Sequence, residues 1–178
     1  MQFLSLIPLR YLNLLLPTVC GGCGAPSDTP TVCYSCMKRF QRVVSREIFI
    51  NSSRTLVVHA VGAYDGPLMR LVLGKARGDR IAARELGILM ASMIGDRLHE
   101  FDCIVPVPLH WTRTLWRGYD QVYEIGGALS RATGIPLLSV VRKIRRTPFQ
   151  STVSASMRAD NCRNAFVLTR LAKNLADK

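Results

Sequence analysis

The sequence contains few acidic residues and no long apolar run. Twelve Asp and Glu stand against 24 Lys and Arg among 178 residues, which gives a formal net charge of +12. The Leu-rich residues 1–17 are interrupted by Pro8 and Arg10 and fall short of the ~20 apolar residues that a membrane-spanning helix needs. The segment also lacks the positive charge that precedes the apolar part of a secretory signal peptide. We therefore predict an amphipathic lead-in helix over 1–18, no transmembrane segment and a cytoplasmic protein.

The basic residues are concentrated in the second part of the chain. The stretch from His110 to Lys178 contains 12 Lys and Arg and 4 Asp and Glu, so it carries +8 of the net charge of +12. With 48% hydrophobic residues the chain is too apolar for a disordered basic tail and has enough for a packed core. The charge favours a phosphorylated partner, either a nucleic acid or a small molecule. A solvated basic face is the alternative that charge alone leaves open.

Four of the six cysteines form two C-x-x-C pairs in the segment CGGCGAPSDTPTVCYSC. Each pair is typical of a tight turn whose amides face the sulfur atoms, and two such turns supply the four thiolates of a tetrahedral Zn²⁺ site. A disulfide pair would require an exported chain, and a redox motif would use one C-x-x-C at the start of a helix. We therefore predict a four-cysteine zinc finger and a following helix over 19–50, with structural Zn²⁺ as cofactor. The predicted ligands are Cys20, Cys23, Cys33 and Cys36, whereas Cys103 and Cys162 are expected to be ordinary small apolar residues.

Hydrophobic periodicity and turn signals predict alternating helices and strands after the cysteines. Helices are predicted over residues 37–49, 67–74, 81–100 and 120–132, and strands over 55–64, 103–107 and 135–141. Such alternation is typical of βαβ units, in which a mainly parallel sheet carries helices on both faces. Ligands of these folds collect at the carboxyl ends of the strands. The segment from Pro106 to Gln121 would lie at this edge of the predicted sheet.

Several motifs in the same order resemble those of the ComF/GntX family. The segment VPVPLHWTRTLWRGYDQ is similar to the family signature, in which a strand ending in V-P-V-P-L precedes basic residues and R-G-[FY]-[ND]-Q. The double C-x-x-C resembles the family's zinc finger, and YDGPLMRLVLGKARGDR resembles its tyrosine, helix and lysine. The segment from Thr147 to Phe166 resembles T-P-x-Q followed by R-x-x-N-x-x-x-A-F. From Cys20 to Phe166 the chain is identified as a member of this family.

The resemblance implies a type I phosphoribosyltransferase-like domain over 55–178, an α/β fold with a parallel sheet and flanking helices that is incomplete at the C-terminus. Relatives are linked to the DNA-uptake machinery of natural transformation, and many are described as predicted amidophosphoribosyltransferases. In such domains phosphoribosyl pyrophosphate (PRPP) lies over the carboxyl ends of the strands, where basic side chains and Mg²⁺ share its pyrophosphate charge. By motif match, the pyrophosphate-binding candidates are Lys75, Arg113, Arg117, Gly118 and Gln121.

For two of these candidates we expect a specific role. Gly118 would let the backbone approach the ligand closely, and Gln121 would fix a neighbouring loop. The resemblance assigns no role to three further motif residues, which are Gln150, Arg158 and Asn161.

The sequence contains no D-D-x-x-T-T-G motif, which is the most specific element of the family. In the family its carboxylates take the ribose hydroxyls, and its Thr/Gly loop holds the 5′-phosphate at a helix N-terminus. We therefore expect a C-terminally truncated member of the family, in which PRPP binding is weak or lost and which is catalytically inactive alone. An incomplete parallel sheet would also leave an open edge that a partner chain covers. Whether the protein is an enzyme stays open at this point.

Three functions from different classes are therefore compatible with the sequence. The first is a role with proteins of the DNA-uptake machinery, and the second is an active phosphoribosyltransferase that a partner chain completes. The third is a zinc-stabilised module that binds single-stranded nucleic acid. It would use the basic residues of 142–146, with Trp111, Trp116 or Tyr119 as stacking platforms.

Overall fold

The structure is a computed structural model that describes residues 19–27, 32–40 and 45–173. The predicted lead-in helix over 1–18 lies outside these residues. The chain divides into two compact units, Met1–Gly74 and Lys75–Lys178, and each is described by itself.

The first unit contains a cysteine-bearing turn, a short helix, a β-hairpin and most of a longer helix. Val19 and Pro26 form an antiparallel bridge at the base of the turn. Leu68 and Leu71 of the longer helix are buried, and each such leucine contributes about 2 kcal/mol through its removal from water. The elements are α1 (Tyr34–Lys38), β1 (Arg46–Asn51), β2 (Arg54–Val58) and α2 (Gly66–Ala76), which ends beyond the boundary of the unit.

The helix predicted over 37–49 is wrong from Arg46 onward, where strand β1 forms instead, and residues 41–44 of that prediction lie outside the described residues. The sequence REIFIN combines β-branched and aromatic residues, which pack well in a hairpin, and Ile48 pairs with Leu56 on β2. Asn51 closes the hairpin, because its Oδ1 atom accepts hydrogen bonds from the amide (3.0 Å) and the hydroxyl (3.1 Å) of Ser53. The turn at Asn51 therefore favours a β-hairpin over a continued helix. Helix α1 ends at Lys38.

The second unit is mainly helical. Its elements are α3 (Arg80–Ile94), a 3-10 helix (Gly95–Glu100), α4 (Trp111–Arg117), α5 (Gln121–Thr133), β3 (Val141–Lys143), two 3-10 turns (Gln150–Thr152 and Ala155–Met157), α6 (Arg158–Cys162), β4 (Phe166–Leu168) and α7 (Arg170–Lys173). The helices predicted over 67–74 and 120–132 are confirmed as α2 and α5. The helix predicted over 81–100 is confirmed as α3 up to Ile94, where Gly95 at φ 49° ends it and the 3-10 helix follows.

Helices α3 and α5 pack closely and form the core of the second unit. A Cβ atom on Gly87 would lie 2.3 Å from the carbonyl oxygen of Ile125 and 2.7 Å from the Cβ atom of Ala128, so only glycine permits this approach. Leu89 of α3 and Leu129 of α5 are buried. This rigid helix pair is the support on which the segment before α5 is held.

Aspartates define where both core helices begin. Asp79 accepts hydrogen bonds from the amides of Ile81 (2.9 Å) and Ala82 (3.0 Å) at the start of α3, and Asp120 accepts one from the amide of Val122 (2.9 Å) at the start of α5. Each cap satisfies amides that have no partner within the helix and contributes about 1 kcal/mol. The carboxylates of both residues are therefore engaged by backbone.

The predicted parallel sheet is reduced to one isolated parallel bridge between Ile104 and Leu137. Pro106, Pro108 and Pro136 carry no amide hydrogen, so they remove the donors that would extend this pairing into a ladder. Within the described ranges the named strands form two small antiparallel sheets, β1–β2 and β3–β4. The fold is thus a mixed α/β arrangement, and a phosphoribosyltransferase-like parallel sheet is not confirmed.

Two further predictions differ from the structure. The strand predicted over 55–64 is observed only as β2, which ends at Val58. Helix α4 was not predicted. A helix is indicated in a sequence by a periodic apolar face, and the segment Trp111–Arg117 has no such face because none of its side chains is buried. Over residues 19–27, 32–40 and 45–173, none of the helices has the length and apolarity to cross a membrane.

Candidate functional site

The four predicted metal ligands lie together in the first unit and are called the cysteine cluster below. The Sγ atoms of Cys20, Cys23, Cys33 and Cys36 all lie within 4.8 Å of one another. Cys20 and Cys36 are buried, Cys33 is half-buried and Cys23 is exposed. The described residues include all six cysteines, and none forms a disulfide. The four residues could therefore bind a metal ion such as zinc.

The backbone around the first C-x-x-C pair turns so that amides face a sulfur atom. The amides of Gly22 and Cys33 lie 3.3 and 3.2 Å from the Sγ atom of Cys20 and donate to it. The turn is closed by a 2.7 Å hydrogen bond from the amide of Gly24 to the carbonyl of Cys20. Gly24 has a φ of +76°, in the left-handed region that favours glycine. The sequence CGGCG therefore places its glycines where this turn requires them.

The electrostatics of the cysteine cluster favour a thiolate at Cys20. Burial alone raises the pKa of Cys20, but hydrogen bonds from the amides of Cys33, Cys23 and Gly22 outweigh it and lower this pKa to about 6. For Cys36, burial and then hydrogen bonds with the neighbouring cysteine thiols raise the pKa to about 12. Cys20 is thus favoured as a thiolate and Cys36 as a thiol, and a bound divalent cation would replace the proton of the Cys36 thiol. Four sulfur donors in a tetrahedral site suit zinc, so the residues fit this metal.

Helix α2 packs against the cysteine turn within the same unit. A Cβ atom on Gly22 would lie 2.8 Å from the Cβ atom of Pro67 and 3.1 Å from the Sγ atom of Cys36, so this contact requires glycine. The guanidinium of Arg70 donates a 3.2 Å hydrogen bond to the carbonyl of Cys23. The cysteine cluster is thus attached to a longer element of the fold.

The predicted phosphate-binding residues Lys75, Arg113 and Arg117 belong to the second unit, and the charge of Arg117 acts on the other two, so we call these three the basic cluster. Arg113 and Arg117 are four residues apart on α4, so they project from the same face of this helix. Lys75 is half-buried, and its pKa is lowered first by burial and then by the positive charge of Arg117. The pKa of Arg113 is likewise lowered by burial and by the charge of Arg117. A positive charge that lowers the pKa of two neighbouring cations belongs to a group of side chains that favours an anion.

Arg113 is held in place by the segment that precedes α6. Its guanidinium donates a short hydrogen bond to the carbonyl of Thr147, and it lies 4.0 Å from the ring centroid of Phe149. The charge of Arg146 also contributes to the lowered pKa of Arg113, after burial and Arg117. The T-P-F-Q motif therefore orients one of the predicted anion-binding arginines.

Arg117 is held by one neighbour and retains one unused donor. Its Nη1 atom donates a 2.8 Å hydrogen bond to the Oε1 atom of Gln121, one turn further along the chain. Its Nε atom is buried and makes no hydrogen bond with any residue that the structure describes. A buried guanidinium donor without a hydrogen-bond partner destabilises the fold unless a ligand accepts a hydrogen bond from it. Gln121, which was predicted to fix a loop, orients Arg117 in this structure.

Gly118 and Tyr119 connect α4 to α2 and α3 within the second unit. Gly118 ends α4 at a φ of +75°, a backbone conformation that favours glycine, and a Cβ atom there would meet none of the described residues within 4 Å. Tyr119 is buried and donates a 2.7 Å hydrogen bond to the carbonyl of Lys75. The prediction that Tyr119 serves as a stacking platform is therefore wrong. Trp111 and Trp116, by contrast, are 63% and 81% exposed.

The three motif residues without an implied role make local hydrogen bonds. Gln150 donates from Nε2 to the sulfur of Cys162 (2.7 Å), and Asn161 donates from Nδ2 to the carbonyl of Pro148 (3.4 Å). Arg158 donates from Nε to the carbonyl of Val153 (3.3 Å). These contacts fold the segment that carries Thr147 and Phe149.

The sequence analysis named Lys143 only among the basic residues of 142–146 and Thr147 only as a motif residue, and it connected neither with Arg113. The Nζ atom of Lys143 donates a 2.9 Å hydrogen bond to the Oγ1 atom of Thr147, which is only 2% exposed. The pKa of Lys143 is lowered first by burial and then by the charge of Arg113, against a smaller opposing effect of Cys162. Alternation along β3 leaves Arg142 exposed and Lys143 half-buried, and this is the signal that separates the two.

The chain is similar in sequence to three curated proteins. The chain is 37% identical over 100 residues to Competence protein F of Haemophilus influenzae, a match that covers 54% of this chain and 42% of that protein. It is 31% identical over 163 residues to DNA utilization protein YhgH of Salmonella typhimurium, which covers 85% of this chain and 65% of that protein. The YhgH protein of Salmonella typhi matches with the same identity and coverage.

The chain thus spans less than two thirds of the length of the curated relatives that it matches. No family model matches the sequence, and no solved structure matches it. The curated matches and the cysteine cluster agree with the ordered motifs of the sequence, and together they show that the chain belongs to the ComF family.

Proposed function

We propose that the chain acts in DNA uptake and that its basic cluster binds the pyrophosphate group of PRPP. The observation that supports the proposal is the buried, unpartnered Nε donor of Arg117, whose positive charge also lowers the pKa of Lys75 and Arg113 after burial. The names of the curated relatives, Competence protein F and DNA utilization protein, support the role in DNA uptake. In this proposal the chain works with other proteins of the uptake machinery.

The chemistry of the basic cluster suits a pyrophosphate. A guanidinium fork binds phosphate oxygens through paired, charge-assisted hydrogen bonds, and a lysine adds a point charge. The buried Nε donor of Arg117 would gain a partner when such an anion binds. We further propose that this cluster belongs to a phosphoribosyltransferase-like domain over 55–178, as the family resemblance implies.

We propose that these 178 residues alone do not catalyse phosphoribosyl transfer. Catalysis would require the ribose hydroxyls and the 5′-phosphate to be held together with the pyrophosphate, because positioning supplies much of the rate. The printed sequence contains neither the Asp pair nor the Thr-Gly loop that does this in the family. An active enzyme completed by a partner chain is the alternative, and it predicts transfer activity only when that chain is added.

The test compares PRPP with inorganic pyrophosphate by isothermal titration into the purified, zinc-loaded chain. If the basic cluster contacts only the pyrophosphate group, the two ligands bind with affinities that agree within about threefold, since no further contact distinguishes them. PRPP binding that is tighter by about tenfold or more would contradict the proposal, because it requires contacts to the ribose 5-phosphate. Absence of binding by both ligands would overturn it entirely.

We propose that the cysteine cluster holds Zn²⁺ as a structural ion. The metal would contribute folding free energy to a segment with few buried apolar side chains, and no chemical step is assigned to it. The free cysteines support a reducing, cytoplasmic compartment, in which thiols remain available to bind metal.

A second candidate function is binding of single-stranded nucleic acid, and the exposure of Trp111 and Trp116 favours it. Both indole rings lie on the helix that also carries Arg113 and Arg117, so stacked bases and bound phosphates would lie near each other. The test is fluorescence anisotropy of a labelled oligonucleotide between 50 and 200 mM salt, on the order of the range over which phosphate-driven binding falls steeply. An affinity that hardly changes with salt, or that survives Trp116→Ala, would exclude this function.

A further inference from the structure

Thr147 is a buried residue that accepts hydrogen bonds from two cations at once. Its carbonyl oxygen lies 2.5 Å from the Nη2 atom of Arg113, and its Oγ1 atom lies 2.9 Å from the Nζ atom of Lys143. Because both oxygen atoms belong to one residue, these two hydrogen bonds bring the guanidinium and the ammonium group close to each other. The pKa of Lys143, which is lowered first by burial and then by the charge of Arg113, agrees with this proximity.

Aromatic rings contact the same two head groups. The guanidinium of Arg113 lies 4.0 Å from the ring centroid of Phe149, and the Nζ atom of Lys143 lies 5.2 Å from the ring centroid of Phe166. Phe166 pairs with Lys143 in the register of β3 and β4, so the two side chains lie on the same face of this small sheet. Each cation is therefore held by one oxygen atom of Thr147 and by one ring.

Arg113 and Lys143 retain most of their hydrogen-bond donors. An ammonium group has three donors and a guanidinium has five, and Thr147 takes one from each. Within residues 19–27, 32–40 and 45–173, neither side chain makes a further hydrogen bond or an ion pair with a carboxylate. Two positive charges held side by side repel each other, and an anion bound between them offsets this repulsion.

The basic residues on either side of Lys143 are arranged differently. Arg142 is exposed, because alternation along β3 places it on the opposite face of the strand from the half-buried Lys143. The Nη2 atom of Arg145 donates to the carbonyl oxygens of Asn161 (3.1 Å) and Arg163 (2.6 Å), and it thereby connects the two ends of the segment between β3 and β4. Of these three cations, Lys143 is the one held beside Arg113.

We propose that Lys143 is a fourth phosphate-binding side chain and that Thr147 positions it beside Arg113. The inference rests on the proposed function and adds two residues to the site of the basic cluster. Arg113 contributes a guanidinium fork and Lys143 a point charge to the oxygen atoms of one phosphate group. Thr147 contacts no ligand in this arrangement and acts through the two cations that it holds.

The first experiment titrates inorganic pyrophosphate into the purified, zinc-loaded full chain and its variants by calorimetry. We expect Lys143→Met to weaken binding about tenfold, the loss of one charge-assisted hydrogen bond, and Lys143→Arg to stay within about threefold of the wild type. Arg142→Met is the matched control and should change the affinity by less than about twofold, because it removes an exposed charge. Equal losses in Lys143→Met and Arg142→Met would overturn this inference and leave the proposed function intact. Absence of binding by the wild type would overturn both.

The second experiment tests Thr147 as a positioning residue. Thr147→Val removes the hydroxyl that holds Lys143 and keeps the carbonyl that holds Arg113, so we expect pyrophosphate binding to weaken about fivefold. Thr147→Ser keeps the hydroxyl and should bind within about twofold of the wild type. In the Lys143→Met background, Thr147→Val should cause no further loss, because the two residues act together. Additive losses, or an equal loss in Thr147→Ser, would overturn the positioning role. Circular dichroism compares the fold of each variant with that of the wild type.

Discussion

The cysteine cluster and the basic cluster gather their residues over very different lengths of chain. The four cysteines fall between Cys20 and Cys36, so two local turns are enough to bring their sulfur atoms within 4.8 Å. The basic cluster combines Lys75 with Arg113 and Arg117, and Thr147 supports it from still further along the chain. A site formed by local turns can be predicted from the spacing of its residues in the sequence. A site formed by residues that are distant in the chain can be recognised only when the fold is known.

The two clusters also have opposite electrostatic requirements. The cysteine cluster contains a thiol whose pKa is lowered to about 6, so it favours a cation. In the basic cluster the pKa values of Lys75 and Arg113 are lowered by burial and by the charge of Arg117, so the cluster favours an anion. The first is expected to stabilise the fold when filled, and the second is expected to bind a ligand reversibly.

The largest expected effect comes from removing one sulfur ligand. We expect Cys36→Ser to abolish zinc binding and unfold the cysteine turn, since structural zinc is worth on the order of 10 kcal/mol in zinc fingers. Zinc content by mass spectrometry and circular dichroism measure this. Cys103→Ser is the matched control, because Cys103 lies outside the cluster and should leave the zinc content unchanged. Retention of zinc by Cys36→Ser would contradict the assignment of the metal site.

The next effect is expected at the other cluster. Arg117→Ala should weaken pyrophosphate binding by about tenfold or more, because it removes charge-assisted hydrogen bonds. Arg117→Lys keeps the charge but loses the fork, so calorimetry should place it between the wild type and the alanine variant. Arg131→Ala, at an exposed arginine on α5, should bind pyrophosphate like the wild type. If all three variants bound equally, Arg117 would have no part in the site.

Gly118→Ala tests the turn that joins α4 to Tyr119. The positive φ of 75° at this position disfavours any residue with a Cβ atom, so we expect a loss of about 1 kcal/mol in the free energy of unfolding. Gly127→Ala is the control, because Gly127 lies inside helix α5, where alanine is preferred, and it should be neutral or stabilising. Urea denaturation measures both, and the interpretation fails if Gly118→Ala is the more stable of the two.

The smallest effect concerns the pH dependence of stability at Lys75. Because burial and Arg117 lower its pKa, charged Lys75 destabilises the fold at neutral pH, and this cost disappears as pH rises through the lowered pKa. Lys75→Met should therefore gain a few tenths of a kcal/mol at pH ~7, and the gain should shrink toward the ordinary lysine pKa of ~10.4. Arg77→Met removes an exposed positive charge and is the control, whose effect on stability should stay constant. A gain for Lys75→Met that grew with pH would contradict the sign.

The sequence predicted those features whose determinants are close together in the chain. Helices α2, α3 and α5 follow from periodic apolar residues and local caps such as Asp79. The hairpin at Asn51 was missed because its apolar residues are exposed on both strands, so they carry no clear periodicity. The extended parallel sheet was overestimated because prolines in V-P-V-P-L remove the donors that a ladder needs.

The candidate site shows the same limit. The convergence of Lys75, Arg113 and Arg117 was reached through the family motif, since no local spacing connects a residue on α2 with two on α4. The roles of Gln121 and Thr147 required coordinates, because their hydrogen bonds to Arg117 and Arg113 depend on side-chain direction. Tyr119 was assigned to the surface because its burial against the backbone of Lys75 is a tertiary contact.

The most direct test of the basic cluster as an anion site is a crystal structure of the zinc-loaded chain with pyrophosphate. We predict that the phosphate oxygens lie within hydrogen-bond distance of Lys75 and Arg117, including the Nε atom of Arg117 that has no partner among the described residues. Pyrophosphate bound elsewhere, with Lys75 and Arg117 paired to carboxylates of the chain itself, would contradict the account.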